Sequence, residues 1–186
     1  MPILLATLLK RILAGFTASI EGISMIYPNP NSIQWPKTKE GGLRRMRLGE
    51  INLASTLYGY SIHYNQVWIH YDSYLPFGLQ PTDIGMTPNG EMWFRIDKYE
   101  DDFSVPKKDR VEEQHLFMHE MMHVWQHQRG MWVRTRGMFS RIMPYEYSLD
   151  EHDTLLEYGL EQQASMVSDY WLLKTYGFAG NARLIV

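Results

Sequence analysis

Residues 119–123 read His-Glu-Met-Met-His, a run whose residue types and spacing can do chemistry. Four residues advance a helix by about 6 Å and slightly more than one turn, so both imidazoles leave the same face. They can then reach one ion, each at about 2.1 Å, as zinc requires. Glu120 follows the first ligand directly and stays out of the coordination sphere. Zinc lowers the pKa of a water it holds toward about 7, and a carboxylate in that position takes the proton as attack begins. The chemistry implied is zinc-dependent peptide hydrolysis at a single ion, with His119 and His123 as metal ligands and Glu120 as the catalytic base.

The histidines extend beyond the motif. His115, His119, His123 and His127 recur every fourth residue. His115 and His123 would stand about 12 Å apart along the axis, too far to share one ion. Adjacent pairs alone qualify, and only His119/His123 carries a glutamate in the base position. His115 and His127 are therefore read as flanking polar residues. The bland alternative is a surface helix that happens to be rich in histidine.

A catalytic zinc needs a third protein ligand and an open position for water. A third histidine six residues past His123, behind a glycine at 126, would be one solution. The chain has Arg129 and Gln126 there, so that solution fails. A downstream carboxylate is the other, and Asp150, His152, Asp153, Glu157 and Glu161 are all available. Glu161 is preferred because it opens a helix whose stripe at Leu160, Ala164 and Val167 must pack inward, with the small Ala164 allowing close approach to the motif helix. Glu157 is next. Asp169 is a candidate to orient a ligand imidazole. Tyr145, Tyr147 and Tyr158 are open alternatives for an oxyanion donor.

The elements that must position these groups follow from periodicity. The motif helix is expected from about Val111 to Arg129, stopped by Gly130. Leu160, Ala164, Val167 and Trp171 mark a final helix closed by Gly177, with a break at Gly159 that places Glu161 in its first turn. Ser148 and Glu151 resemble a capping box. Residues 42–58 contain a helical segment with Ile51, Ala54, Leu57 and Tyr58 at spacings of three and four. Gln66–Tyr71 reads as a strand. Pro88-Asn89-Gly90 between two apolar runs, 84–87 and 91–94, predicts a hairpin, whose edge is a candidate to hold an extended peptide. Trp132–Met143 is expected to be a strand or extended loop.

At 186 residues, 45% apolar and 21% charged, the chain suits one soluble domain with a substantial core. Its formal charge of −3 gives no electrostatic case for nucleic acid. The absence of cysteine removes disulfides, thiolate zinc sites and cysteine nucleophiles. Most of the 12 Met, 6 Trp and 12 Tyr are expected in the core. Residues 3–16 are apolar, but Lys10 and Arg11 interrupt them, so a spanning helix is not expected. An amphipathic helix packed on the domain fits better. The chain thus divides into residues 1–40, an N-terminal helix and Pro-rich linker, and residues 41–186, the catalytic domain.

Phe117-Met-His-Glu-Met-Met-His-Val-Trp-Gln-His-Gln128, with Leu160-Glu-Gln-Gln-Ala164 downstream, resembles the zinc metallopeptidase-like effector domains related to VgrG spike proteins of bacterial type VI secretion. Leu75-Pro76-Phe77 with Gln80, and Met86-Thr-Pro-Asn-Gly90, are also similar to that family. The resemblance covers roughly residues 45–175. It implies His119, His123 and Glu161 as ligands, Glu120 as catalytic residue, a toxin acting in the periplasm of a target bacterium, and a cognate immunity protein. Delivery then calls for a separate VgrG or chaperone carrier, or a longer parent chain. Gly159 stands where Asn is expected before the second motif.

Together these readings give an α+β, zincin-like (gluzincin-like) domain. A small antiparallel sheet packs on the motif helix, and a downstream helix brings the third ligand. The function expected is an antibacterial metalloendopeptidase cleaving envelope protein or peptidoglycan peptide bonds. The alternatives are a catalytically silent zinc-binding interaction domain and a membrane-disturbing N-terminus.

Overall fold

The structure is a computed structural model that describes residues 36–105, 111–131 and 145–177. The N-terminal helix, most of the linker and the Trp132–Met143 segment expected from the sequence lie outside those residues. The described chain is α+β, a small mixed sheet with three α-helices. The strands are β1 (Gly42–Arg45), β2 (Trp68–Tyr71), β3 (Gly85–Met86) and β4 (Met92–Phe94). The helices are α1 (Leu48–Tyr58), α2 (Val111–Gln128) and α3 (Leu160–Tyr176).

The sheet order is β1-β2-β4-β3. β1 and β2 are antiparallel, as are β3 and β4, with Gly85 opposite Phe94 and Met86 opposite Trp93. The hairpin expected around Pro88-Asn89-Gly90 is present, and Gly90 takes the positive φ of 80° that its turn requires. β2 and β4, however, run parallel, Ile69 facing Met92, so the expected all-antiparallel sheet is corrected. The reason lies in the crossover 72–84. Gln80, 2% exposed, accepts a hydrogen bond from Tyr74 N and donates to the Ile84 and Trp93 carbonyls. That brings the hairpin back with its second strand beside β2 and β3 on the outer edge.

The helical segment expected within 42–58 is α1, which begins at Leu48. Before it, Arg44 points inward from β1 and forks onto Glu50 in two hydrogen bonds of 2.7 and 2.8 Å. Glu50 also accepts from Arg47 N and Phe103 N. A buried carboxylate with four donors ties strand, helix and loop together. Burial alone would strip charge from Arg44, but Glu50 reverses this and holds the guanidinium charged.

The sheet's inner face, Ile69, Met92 and Phe94, meets Phe117, Met118, Met121 and Met122 of α2. Behind α2 lies α3, which buries Leu160, Ala164, Val167 and Trp171 as the stripe predicted. The pairing of α2 with α3 is the most extensive between elements, and Ala164, fully buried, sits within it. Methionine fills this core as expected. The helix break falls at Gly159, which caps α3 while Gln162 Oε1 accepts its N–H at 2.9 Å. The Ser148–Glu151 pair makes only a backbone turn, and the side-chain box forms instead at Thr154 and Glu157.

Candidate metal centre

α2 sends His119 and His123 from one face, and the first turn of α3 brings Glu161 to meet them. His123 Nε2 lies 3.2 Å from His119 Nε2 and 3.1 Å from Glu161 Oε2, and His119 Nε2 lies 3.3 Å from the same oxygen. Donors held 2.0–2.1 Å from a tetrahedral ion stand about 3.3–3.4 Å apart, so three separations of this size fit one zinc-sized cation. Among the described residues, these are the three that form a group able to hold a metal.

The electrostatics suit a cation. Burial works against charge on the His123 ring, but the hydrogen bond and charge of Glu161 outweigh it and raise its pKa to about 9. Burial likewise pushes the Glu161 carboxyl up, yet the hydrogen bonds from His119 and His123 and their charge hold it well below the usual carboxylate range. Glu161 therefore stands ionised beside two imidazoles.

Glu120 lines the same cleft of about 60 Å³ as the three donors, with Gly85, Thr87 and Tyr145. Its Oε2 accepts a 2.6 Å hydrogen bond from the Thr87 hydroxyl. Edge strand β3 passes so close that only glycine fits at 85, since a Cβ there would come within 2.9 Å of the Glu120 Cδ and Cγ. The carboxylate is thus aimed by the hairpin, not by its own helix alone. Thr87 and Gly85 were invisible to spacing arguments, because their role depends on how the hairpin meets α2.

The other expected residues separate cleanly. Glu157 is exposed and caps its own turn through Thr154 N at 2.9 Å, and Asp150, His152 and Asp153 are exposed on the same loop. Asp169 orients a histidine, but it is His115 at 2.7 Å and not a ligand. The Nδ1 of His123 faces Gln126 Oε1 at 2.8 Å, and Gln126 Nε2 donates to the Leu160 carbonyl and to Gln163. Gln126 was read as a departure from a histidine pattern. Its position three residues beyond His123 was the available signal, since such spacing brings side chains together on a helix. His127 packs against the Gly90 turn. Of the three tyrosines, Tyr147 donates to Asp169 and Tyr158 to the Ser148 carbonyl. Tyr145 borders the cleft, its ring 6.1 Å from that of His119.

Fold and site together define an α+β domain in which two antiparallel helices assemble a two-histidine, one-carboxylate centre beneath an edge strand. No family model matches the chain. It is 37% identical over 138 residues to the type VI secretion system spike protein VgrG2b of Pseudomonas aeruginosa, an alignment taking in 70% of this chain and 13% of that protein. The solved effector domain of Pseudomonas aeruginosa VgrG2b matches with a TM-score of 0.61 at 29% identity, over 96% of this chain and 93% of that one. The chain therefore spans about an eighth of the curated relative but nearly all of its effector domain. Homology to VgrG2b and to that domain supports a VgrG-associated effector domain of type VI secretion.

Proposed function

We propose that this domain is a zinc metallopeptidase of the zincin-like, gluzincin-like class. The observation that carries the reading is the convergence of His119, His123 and Glu161 within 4.8 Å of one another, with the Glu120 carboxylate on the wall of the same cleft. Zinc bound there would supply Lewis acidity that makes water a competent nucleophile near neutral pH. Glu120 is the proton acceptor, its Oε2 anchored by Thr87 so that the carboxylate keeps one orientation toward the cleft. Tyr145, which borders the cleft while Tyr147 and Tyr158 are bonded elsewhere, is our candidate to donate a hydrogen bond to the developing oxyanion. β3, the sheet edge above the cleft, is where an extended peptide would add as a further strand.

Elemental analysis of the wild type beside Glu161→Ala tests the centre. One zinc per chain in the first and a sharp fall in the second is expected. Glu120→Gln is expected to keep the zinc and lose peptide hydrolysis. A second reading, a silent zinc-binding interaction domain, is favoured by the burial of Glu120, 3% exposed. It predicts the same zinc content but identical behaviour of wild type and Glu120→Gln.

By the same homology we infer an antibacterial effector carried by a VgrG protein and neutralised by a cognate immunity protein. Its substrate would be envelope protein or the peptide stems of peptidoglycan, cleaved in the periplasm of the target cell. Expression in Escherichia coli with and without a periplasmic export signal tests the compartment. Growth arrest only on export, absent in Glu120→Gln, is the expected result. No helix among the described residues is long and apolar enough to cross a membrane.

A further inference from the structure

The stripe on α2 meets a matching one on α3. His119 and His123 face Glu161, and one turn back along α2, His115 faces Asp169. Ser165 lies between the two carboxylates on α3. Asp169 is fully buried and accepts from both His115 Nε2 at 2.7 Å and the Tyr147 hydroxyl at 2.8 Å. A ring held this way has one nitrogen committed to Asp169, which leaves Nδ1 for a ligand. No metal chemistry accounts for the pair, since it adds no third donor of the kind zinc takes.

His115 lines a cavity of about 530 Å³ that opens from the metal centre and shares Ile84, Gly85, His119, Glu120 and Tyr145 with it. Ser165 lines it too. That residue is 2% exposed. The remaining walls are Leu116, Pro81 and Ile84 for an aliphatic stem, and Asp83, Glu112 and Lys98 at the mouth. Lys98 is paired with Glu112, so among the described residues lining the opening Asp83 is the carboxylate without a basic neighbour in the same lining.

We propose that this cavity is the subsite for the substrate side chain next to the scissile bond, with His115 the specificity-determining residue. The side chain it takes is long, with an apolar stem and an amine or guanidine end: lysine, arginine or a diamino acid. The proposal rests on the peptidase reading above. The acceptors, His115 Nδ1, Ser165 Oγ and the Asp83 carboxylate, match such an end, whereas an acidic side chain would meet Asp83, Glu112 being already paired with Lys98. Asp169 and Tyr147 position the ring without touching substrate.

The test is digestion of a proteome-derived peptide library by the zinc-loaded full chain, with cleavage sites read by mass spectrometry. Enrichment of basic residues at one position flanking the cut is expected for the wild type. His115→Ala should lower kcat/KM for a matching basic peptide about tenfold or more, mostly through KM, while zinc content of the folded protein stays near wild type. Asp83→Asn, an exposed change that leaves the fold alone, should weaken the preference in the same direction. Cleavage with no basic preference, or an identical preference in His115→Ala and Asp83→Asn, overturns the subsite and leaves the peptidase standing. Zinc-loaded wild type that cleaves nothing overturns both.

Discussion

A Cβ placed on Gly85 would stand 2.6 Å from Glu120 Oε1. The edge strand and the motif helix are therefore in contact through a glycine that has no side chain to give and a carboxylate that has little room to move. Glu120 is buried, and its other oxygen is fixed by Thr87. Gly85→Ala must then rotate the carboxylate or lift the strand. Since misplacing a reacting group by about 1 Å can cost about a hundredfold in rate, the variant should lose at least tenfold in kcat. Zinc content should stay at the wild-type level, because the atoms a Cβ at 85 meets first all belong to Glu120 and not to the three donors. Steady-state kinetics beside elemental analysis separates the two effects.

The convergence of His119, His123 and Glu161 was legible because it depends on helical spacing, which a sequence displays directly. His119 and His123 share a face by period alone, and the break at Gly159 placed Glu161 at a helix start facing inward. What could not be read was contact between elements remote in the chain. Gly85 and Thr87 reach Glu120 across more than 30 residues, and Asp169 chose His115 over the ligand histidines because α3 runs antiparallel to α2. The sheet direction failed for the same reason. A hairpin signal is local, but which of its strands docks beside β2 is decided by the Gln80 side chain. The β1 strand was not legible either, because Gly42-Leu-Arg-Arg45 carries no apolar alternation and the inward Arg44 finds its partner six residues on.

Zinc should act on stability as any ligand selective for the folded state does. At about a thousandfold over Kd it contributes about 4 kcal/mol, which for a domain of this size raises the thermal midpoint by roughly 10 °C. Chelation should reverse the shift. Glu161→Ala should show almost none, since the ion then keeps only two protein ligands. Scanning calorimetry with and without added zinc, on both proteins, checks this.

The Arg44–Glu50 pair makes a prediction that leaves the metal centre alone. Glu50 is fully buried and is the principal anion facing a guanidinium that is itself largely enclosed. Breaking a buried pair by removing one charge costs about 3–5 kcal/mol. Glu50→Gln should therefore lower the urea midpoint markedly, while zinc stoichiometry in the fraction still folded stays at one. An unchanged midpoint would mean that β1 and α1 are joined by apolar packing and that the fork adds nothing.

Gln126 connects the two helices at the point where the metal ligands meet. Its Oε1 receives His123 Nδ1–H, which leaves Nε2 of that ring facing His119 and Glu161, and its Nε2 donates to the Leu160 carbonyl one residue before Glu161. Partners of this kind typically change metal affinity about 10–100-fold when removed. Gln126→Leu removes both functions and leaves the buried Gln163 Oε1 without the amide that donates to it, at a cost of about 1–3 kcal/mol. Gln126→Glu keeps an acceptor for the ring but loses the donor to Leu160. If the ring contact matters most, Glu at 126 should retain zinc affinity near wild type in a competition titration with a chelator, while Leu loses it. If the Leu160 contact positions Glu161, both variants should lose affinity alike.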